Sequence, residues 1–323
     1  MEILSNNFLS EFFVICMKGI NTLFSDYALA IVILTILIRL LLLPLDLKQR
    51  GNHAKMNALG PEIQSLQKRY ANNPQQLQRK QQELYRKMGV KPMLGCLPAL
   101  IQMPILFAFF GAMRVLASEQ TVALVLDAAQ YGANTVVLPQ FFWVHNFWQP
   151  DSGLVNIMPN AQEFLKFVQT NSTFISPQTM SLLQSHGILE FNAGVMGINT
   201  ETYTALSNGI IQANGLEGFK NGWFILPVLS GVALFIQQKF SPMAGNAGGM
   251  PMPGADPNQP AAAQPGGKFM LWFFPLFSVY ICATSNTAFA LYWFVSSLYA
   301  FGQMKIVEII KKAREKKKEI LVS

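Results

Sequence analysis

The sequence predicts an all-α polytopic membrane protein of five transmembrane helices, and three observations predict it. Half of the chain is apolar, 51%, and only 13% is charged. The mean hydropathy of +0.29 is high for a soluble domain of 323 residues. Long apolar runs recur, and Lys and Arg gather in the stretches between some of them but not others.

The chain opens with 1–26, where Ile3, Leu4, Phe8, Leu9, Phe12, Phe13, Ile15 and Ile20 are interrupted by Asn6, Asn7, Glu11, Lys18 and Asn21. This pattern suits an amphipathic helix lying in the outer interface better than a span. A basic start followed by an apolar core and a small-residue cleavage site is missing, so no cleavable signal peptide is expected. Val14 and Ile15 stand where a lipoprotein reading of Cys16 needs small residues. Either the protein begins here or an upstream segment precedes it.

The first span is 27–45, YALAIVILTILIRLLLLPL, with Arg39 as its lone charge. A charge at membrane depth costs at least a few kcal/mol, so it persists facing water or a polar partner, or by snorkelling to the interface. Arg39 lies six residues before the end of the run, on the order of 9 Å at 1.5 Å per residue, which disfavours snorkelling. Residues 46–92 then read as two helices, 47–70 and 75–88, broken at Asn72-Asn73-Pro74. Their sparse apolar residues leave two readings: a mobile hairpin, or a plain solvated connector.

Four further spans follow: 93–115, 223–240, 268–285 and 286–305, the fourth being short, with Thr284, Ser285 and Asn286 turning it into the fifth. Ten Lys and Arg lie in 46–92 and seven in the tail after Phe301, whereas 115–222 holds only Lys166 and Lys220 against seven acids. Positively charged loops stay in the cytoplasm. The hairpin, the loop 241–267 and the basic tail 306–323 are therefore expected inside, and the N-terminus and 116–222 outside. The net charge of +7 concentrates on the inner face, where it favours anionic lipid or ribosomal RNA. The loop 241–267, rich in Gly, Pro, Ala and Met, is expected to be disordered.

Bond-making chemistry has no candidate residues. Cys16, Cys96 and Cys282 are far apart in apolar stretches, His53, His145 and His186 are isolated, and the glycines of 248–254 show no phosphate-loop pattern. No catalytic residues, cofactor or metal are expected, and the chain does not read as an enzyme. A secondary transporter or channel using Arg39 to bind an anion is the alternative. Internal repeats and paired broken helices, which transporters typically show, are absent, and the spans lack carboxylates for proton coupling.

Five segments carry a resemblance: TILIRLLLLPL (35–45), AKMNALGPEIQSLQKRY (54–70), GVKPMLGCLPALIQMPILFAFF (89–110), ILPVLSGVALFIQQKFSP (225–242) and ALYWFVSSL (290–298). In this order they resemble the YidC/Oxa1/Alb3 family of membrane-protein insertases, over nearly all of 27–115 and 223–305. GCLPALIQMPI is the most specific, with Pro98 and Pro104 flanking Gln102 inside a span. The resemblance implies a bacterial cell membrane protein whose spans enclose a hydrophilic groove open to the cytoplasm and to lipid. It implies that Arg39 is the groove arginine, with Thr35 one helical turn earlier, Gln102, Gln238 and Trp293 as further groove residues, and Gln237 as an additional polar neighbour. Gln102 and Gln238 read equally as interhelical hydrogen-bonding residues, and Trp293 equally as packing. The partners implied are nascent membrane proteins, the lipid bilayer, the ribosome through the basic inner surface, and a Sec translocon.

The chain departs from the family in one stretch. FFWVHNFWQPD (141–151) resembles the end of the family's short external segment, yet some 70 residues follow before Trp223. This insert, about 152–220, has helix-like stretches at 161–169 and 178–186, and Phe164, Leu165, Phe167, Leu182, Leu183, Ile188 and Leu189 suit a small helical core. It is expected to be a peripheral external module.

Overall fold

The computed structural model describes residues 8–90, 97–192, 194–240 and 265–322. Helices α1 (Phe8–Phe24), α2 (Tyr27–Ala58), α3 (Gly60–Arg69), α4 (Pro74–Lys87) and α5 (Leu97–Tyr131) come first. Helices α6 (Ala161–Thr170) and α7 (Pro177–Ser185), strands β1 (Leu189–Asn192) and β2 (Val195–Ile198), and α8 (Thr200–Ala213) build the insert. Helices α9 (Ile225–Phe240), α10 (Pro265–Thr284) and α11 (Thr287–Val322) complete the chain. By length and composition, 27–52 within α2 and 101–131 within α5 suffice to cross a membrane, and 225–240 and 271–284 are shorter apolar helices. The loop expected to be disordered lies, over 241–264, outside the described residues, as do Cys96 and the start of the second expected span.

Two helices run on beyond the apolar runs read as spans. Helix α2 does not stop at Leu45 but runs on through Pro44 and Asp46 to Ala58. A proline inside a helix removes one hydrogen bond without forbidding continuation, and the interruption falls instead at Leu59, before Gly60-Pro61 opens α3. Helix α5 likewise continues past Val115 to Tyr131. Charges at Arg114, Glu119 and Asp127 lower the local hydropathy, but the residue that ends the helix is Gly132, at φ +94°.

The chain forms two compact units. The first comprises Met1–Leu34, Ile105–Ser230 and Val279–Trp293. Its best-packed part is the insert together with α5: Val122, Val125 and Leu126 share a core with Phe164, Val168, Leu183, Ile188, Tyr203 and Ile210. Burying each such side chain stabilises by about 1.5–3 kcal/mol, so the insert is built onto the helix that precedes it. It is not wholly helical, because β1 and β2 form an antiparallel hairpin pairing Leu189 with Ile198 and Asn192 with Val195. Gly194, at φ +81°, supplies the left-handed turn.

Elsewhere in this unit α1 buries Phe13, Val14 and Met17 while leaving Phe8, Phe12 and Ile15 exposed. Phe13 meets Phe109 at 4.5 Å, Phe109 stacks on Tyr292 at 4.2 Å, and Lys18 Nζ pairs with Glu119 at 2.7 Å. Helix α1 thus has two apolar faces, one packed against protein and one left open.

The second unit comprises Thr35–Pro104, Gly231–Ser278 and Phe294–Ser323. Here α3 and α4 follow one another across the turn at 70–73, and the first helix expected at 47–70 is divided between the end of α2 and α3. Asn73 caps α4 by accepting from the Gln76 N–H at 3.1 Å, and Pro74 occupies the first turn, where its missing N–H costs nothing. Neither helix buries a residue, so little apolar burial holds the hairpin in place.

Candidate functional site

Arg39 lies on α2, half-buried, four residues after the buried Thr35. One helical turn separates the two, which places them on one face. The Arg39 guanidinium donates through Nε, at 3.0 Å, and through Nη2 to the Ser296 hydroxyl on α11, and Ser296 is itself buried. A neutral hydroxyl orients the guanidinium without cancelling its charge. The carboxylate that acts on that charge is Asp46, seven residues along α2, which also acts on Arg50. A helical rise of about 10 Å separates the Asp46 and Arg39 backbones, and among the described residues the hydrogen bonds of Arg39 go to Ser296 and not to Asp46. The arrangement is therefore an oriented, incompletely neutralised cation.

The other sequence-predicted residues are distributed as follows. Gln102 on α5 and Gln238 on α9 are half-buried members of the same unit as Arg39, and Gln237 is half-buried beside Gln238. Trp293 is half-buried and belongs to the first unit, where its ring lies 5.6 Å from Phe289. Near Gln238, Phe235 and Trp272 sit 4.9 Å apart, and Lys305 Nζ lies 4.9 Å over the Phe240 ring.

Two features lie beyond what sequence reasoning singled out for Arg39. Ser296 was visible only as one of two serines in ALYWFVSSL, without a sign that it would be the arginine's partner. Arg114, at the edge of the second span by hydropathy, stands well inside α5, with its guanidinium 5.7 Å over the Phe110 ring. The signal that places it there is the absence of any Gly or Pro between Arg114 and Gly132.

A second buried charge organises the first unit. Asp151, fully buried, accepts from the backbone N–H groups of Trp223 at 2.8 Å, Phe224 at 3.1 Å and Leu226 at 2.7 Å, and from Trp143 Nε1 at 2.9 Å. Its charge faces the N-terminus of α9, where unpaired donors and the helix dipole both favour an anion. Beside it, Asn221 Oδ1 accepts from the Asn146 N–H at 2.7 Å, and Asn221 Nδ2 donates to the Asn146 and Pro150 carbonyls, each at 2.9 Å. Gly222 is required by this closeness, since a Cβ there would collide with the Asp151 carboxylate. The two ends of the insert are thereby tied together.

Comparison with known proteins shows the family of the chain. The family model described as 60Kd inner membrane protein matches residues 19–316. The chain is 36% identical over 181 residues to the membrane protein insertase YidC of Clostridium perfringens, covering 54% of this chain and 68% of that protein. It is 43% identical over 109 residues to the membrane protein insertase YidC of Clostridium tetani, covering 32% of this chain and 50% of that protein. With the membrane protein insertase MisCA of Bacillus subtilis it shares 28% identity over 287 residues, covering 88% of this chain and 70% of that relative. The chain, mostly helical and carrying apolar helices long enough to cross a membrane, belongs to the 60Kd inner membrane protein family, the YidC/Oxa1 family of bacterial membrane proteins.

Proposed function

We propose that this protein is a membrane protein insertase that binds nascent membrane proteins in a hydrophilic groove within the bilayer and releases their spans sideways into lipid. The observation that carries the reading is Arg39: a half-buried cation in an apolar helix, oriented by Ser296 and incompletely offset by Asp46. Such a cation lowers the cost of bringing a polar or acidic external segment partway across. The mechanism is binding, with no covalent step.

Thr35, Gln102, Gln238 and Trp293 line the groove in this proposal, which opens to the cytoplasm. Five spans enclose it, formed from α2, α5, α9, α10 and the first part of α11, with the N-terminus outside and the basic tail inside. The sixteen residues of α9 extend about 24 Å, short of a hydrocarbon core of about 30 Å. A short span draws the bilayer thinner around it, which shortens the path for the polar segment. The client's apolar span then leaves into lipid, at a gain of about 0.8 kcal/mol per buried CH₂. The α3–α4 hairpin receives the emerging chain, the basic tail meets the ribosome, and the protein works alone or beside a Sec translocon.

Site-specific photocrosslinking tests this directly. Probes at Thr35, Gln102 and Trp293 should each label a ribosome-stalled membrane protein, whereas a probe at the exposed Leu41 should label lipid. Absence of labelling at all three groove positions, in protein that still folds, overturns the groove.

A further inference from the structure

The insert contains a groove of about 910 Å³ that the insertion mechanism does not use. One wall is a stripe along α8, on which Thr200, Thr204, Asn208 and Gln212 recur at helical spacing and are all exposed. The opposite wall comes from 156–162, with Asn156 and Gln162 exposed, and the segment 216–220 closes one side. The floor is fixed: Ile157, Met158 and Leu216 are buried, and the Tyr203 hydroxyl donates to the Pro159 carbonyl at 2.8 Å. Burial holds that hydroxyl protonated well above the ordinary tyrosine range, so it remains a donor.

The polar groups that the walls expose are mainly amides and hydroxyls, set over an apolar floor and side that include Ile157, Met158, Ile211 and Leu216. Of the two charged residues at the rim, Lys220 donates to Asn156 Oδ1 at 2.7 Å. Side-chain amides carry both donors and acceptors, the combination that matches peptide N–H and C=O groups. From Thr200 to Gln212 the stripe is about 18 Å long at 1.5 Å per residue, the length of about five extended residues at 3.3 Å each. The Tyr203 ring is packed on Phe164 at 4.7 Å and offers no open face to a sugar, whereas the Phe219 ring at the rim stays exposed beside His145.

We infer that this groove binds an extended, uncharged polar peptide, and that its occupant is the external segment of a client after crossing. The inference rests on the insertase reading and deepens it, giving the insert a part in receiving what the groove around Arg39 has passed.

The test uses the full chain in membranes, with a photocrosslinker at Asn208 or Gln212 and, as controls, at Glu201 or Ala205, exposed positions of α8 outside the groove. A stalled client with a long Ser/Asn-rich external segment is the probe. Labelling of that segment should be at least about tenfold stronger from the groove positions than from the controls, the ratio expected of a specific contact against chance encounter. Asn208→Phe, which fills the groove from an exposed site, should abolish labelling from Gln212 without lowering the melting temperature. Equal labelling from groove and control positions overturns the inference. So does labelling from Thr35 with none from the groove, a result that leaves the insertase reading intact; no labelling from Thr35 either removes both. Protection of Gln212 by a soluble N-acetylglucosamine oligomer, without client labelling, makes the groove a glycan site and overturns the peptide assignment.

Discussion

Asp151 and Arg39 are two charges taken out of bulk water and treated oppositely. Asp151 is fully buried and accepts from four N–H groups, three from the backbone that opens α9 and one from Trp143. Arg39 is half-buried, and among the described residues its hydrogen bonds reach one hydroxyl, that of Ser296. A charge whose hydrogen-bonding capacity is filled holds structure together and has nothing left to offer a passing ligand. One whose donors are mostly unspent contributes little to folding but retains attraction for an anion. The first belongs to architecture, and the second is the one that the proposed groove uses.

The sharpest way to break this contrast is to remove each charge and measure stability. Asp151→Ala strands four donors that the carboxylate now satisfies, at about 1–3 kcal/mol for each buried group left unpaired. Loss of at least about 3 kcal/mol is expected, read as a lower denaturation midpoint in detergent by tryptophan fluorescence. Phe224, held at φ +62° beside these bonds, should relax at the same time. A variant that unfolds with the wild type would mean the carboxylate is incidental.

Arg39→Ala should do the reverse. Folding stability should change by less than about 1 kcal/mol, because the hydrogen bonds lost all run to one neutral hydroxyl and an unfavourable burial is relieved. Insertion of clients with acidic external tails should fall about tenfold, equivalent to about 1.4 kcal/mol, while Arg39→Lys keeps most activity. Undiminished insertion of every client by Arg39→Ala would sink the functional half of the contrast. Asp46→Asn should act in the opposite sense, raising insertion of acidic tails modestly by removing the carboxylate that offsets the arginine.

How much of this was legible beforehand differs between the two charges for a physical reason. Arg39 stands out because one charge in an apolar run contradicts its surroundings, and that contradiction is local. Asp151 has no such contrast: it sits among Gln149, Pro150 and Ser152, and three of its four partners lie 72 to 75 residues away, brought back by the fold of the insert. The Lys18–Glu119 pair, 101 residues apart, was invisible for the same reason. Local structure was readable where breakers speak, as at Asn73-Pro74. Hydropathy marks apolar runs and not helix ends, and α2 and α5 run on past Leu45 and Val115. The hairpin at 189–198 carried a signal, since Phe191-Asn192-Ala193-Gly194 joins a short β-prone run to another, but it was overshadowed by neighbouring helical periodicity.

The insert sharpens the comparison next, because Asp151 and its partners Trp223, Phe224 and Leu226 tie its two ends together, whereas Arg39 and Ser296 belong to the other unit. Replacing 152–220 with a Gly/Ser linker exposes Val122, Val125 and Leu126 of α5, which now share its core. Those three must become polar for the replacement to fold, since about 1.5–3 kcal/mol is lost for each apolar side chain returned to water. With that compensation, insertion of a simple single-span client should stay within about twofold of wild type, a difference of about 0.4 kcal/mol. Protein that folds but inserts nothing would place the insert inside the mechanism.

The smallest effect is expected in the α3–α4 hairpin, which has neither kind of buried charge. Its ion pairs are exposed: Lys80 Nζ meets Glu83 at 2.7 Å, and Arg79 lies 3.6 Å from the same carboxylate. The hydrogen bond from Lys80 holds the Glu83 carboxyl below its ordinary range. A depressed carboxylate stabilises above its unfolded value and loses that contribution as pH falls through the folded one, so any pH effect appears only on acidification below the usual glutamate range. Exposure and salt screening keep it minor. Amide exchange in α3 and α4 should therefore be fast at pH 7 compared with 105–131 of α5, and nearly the same in Glu83→Gln as in wild type. Strong protection of the hairpin would show burial that its surface does not suggest. A marked loss of protection in Glu83→Gln would mean that an exposed charge here carries the structural weight that the comparison reserves for Asp151.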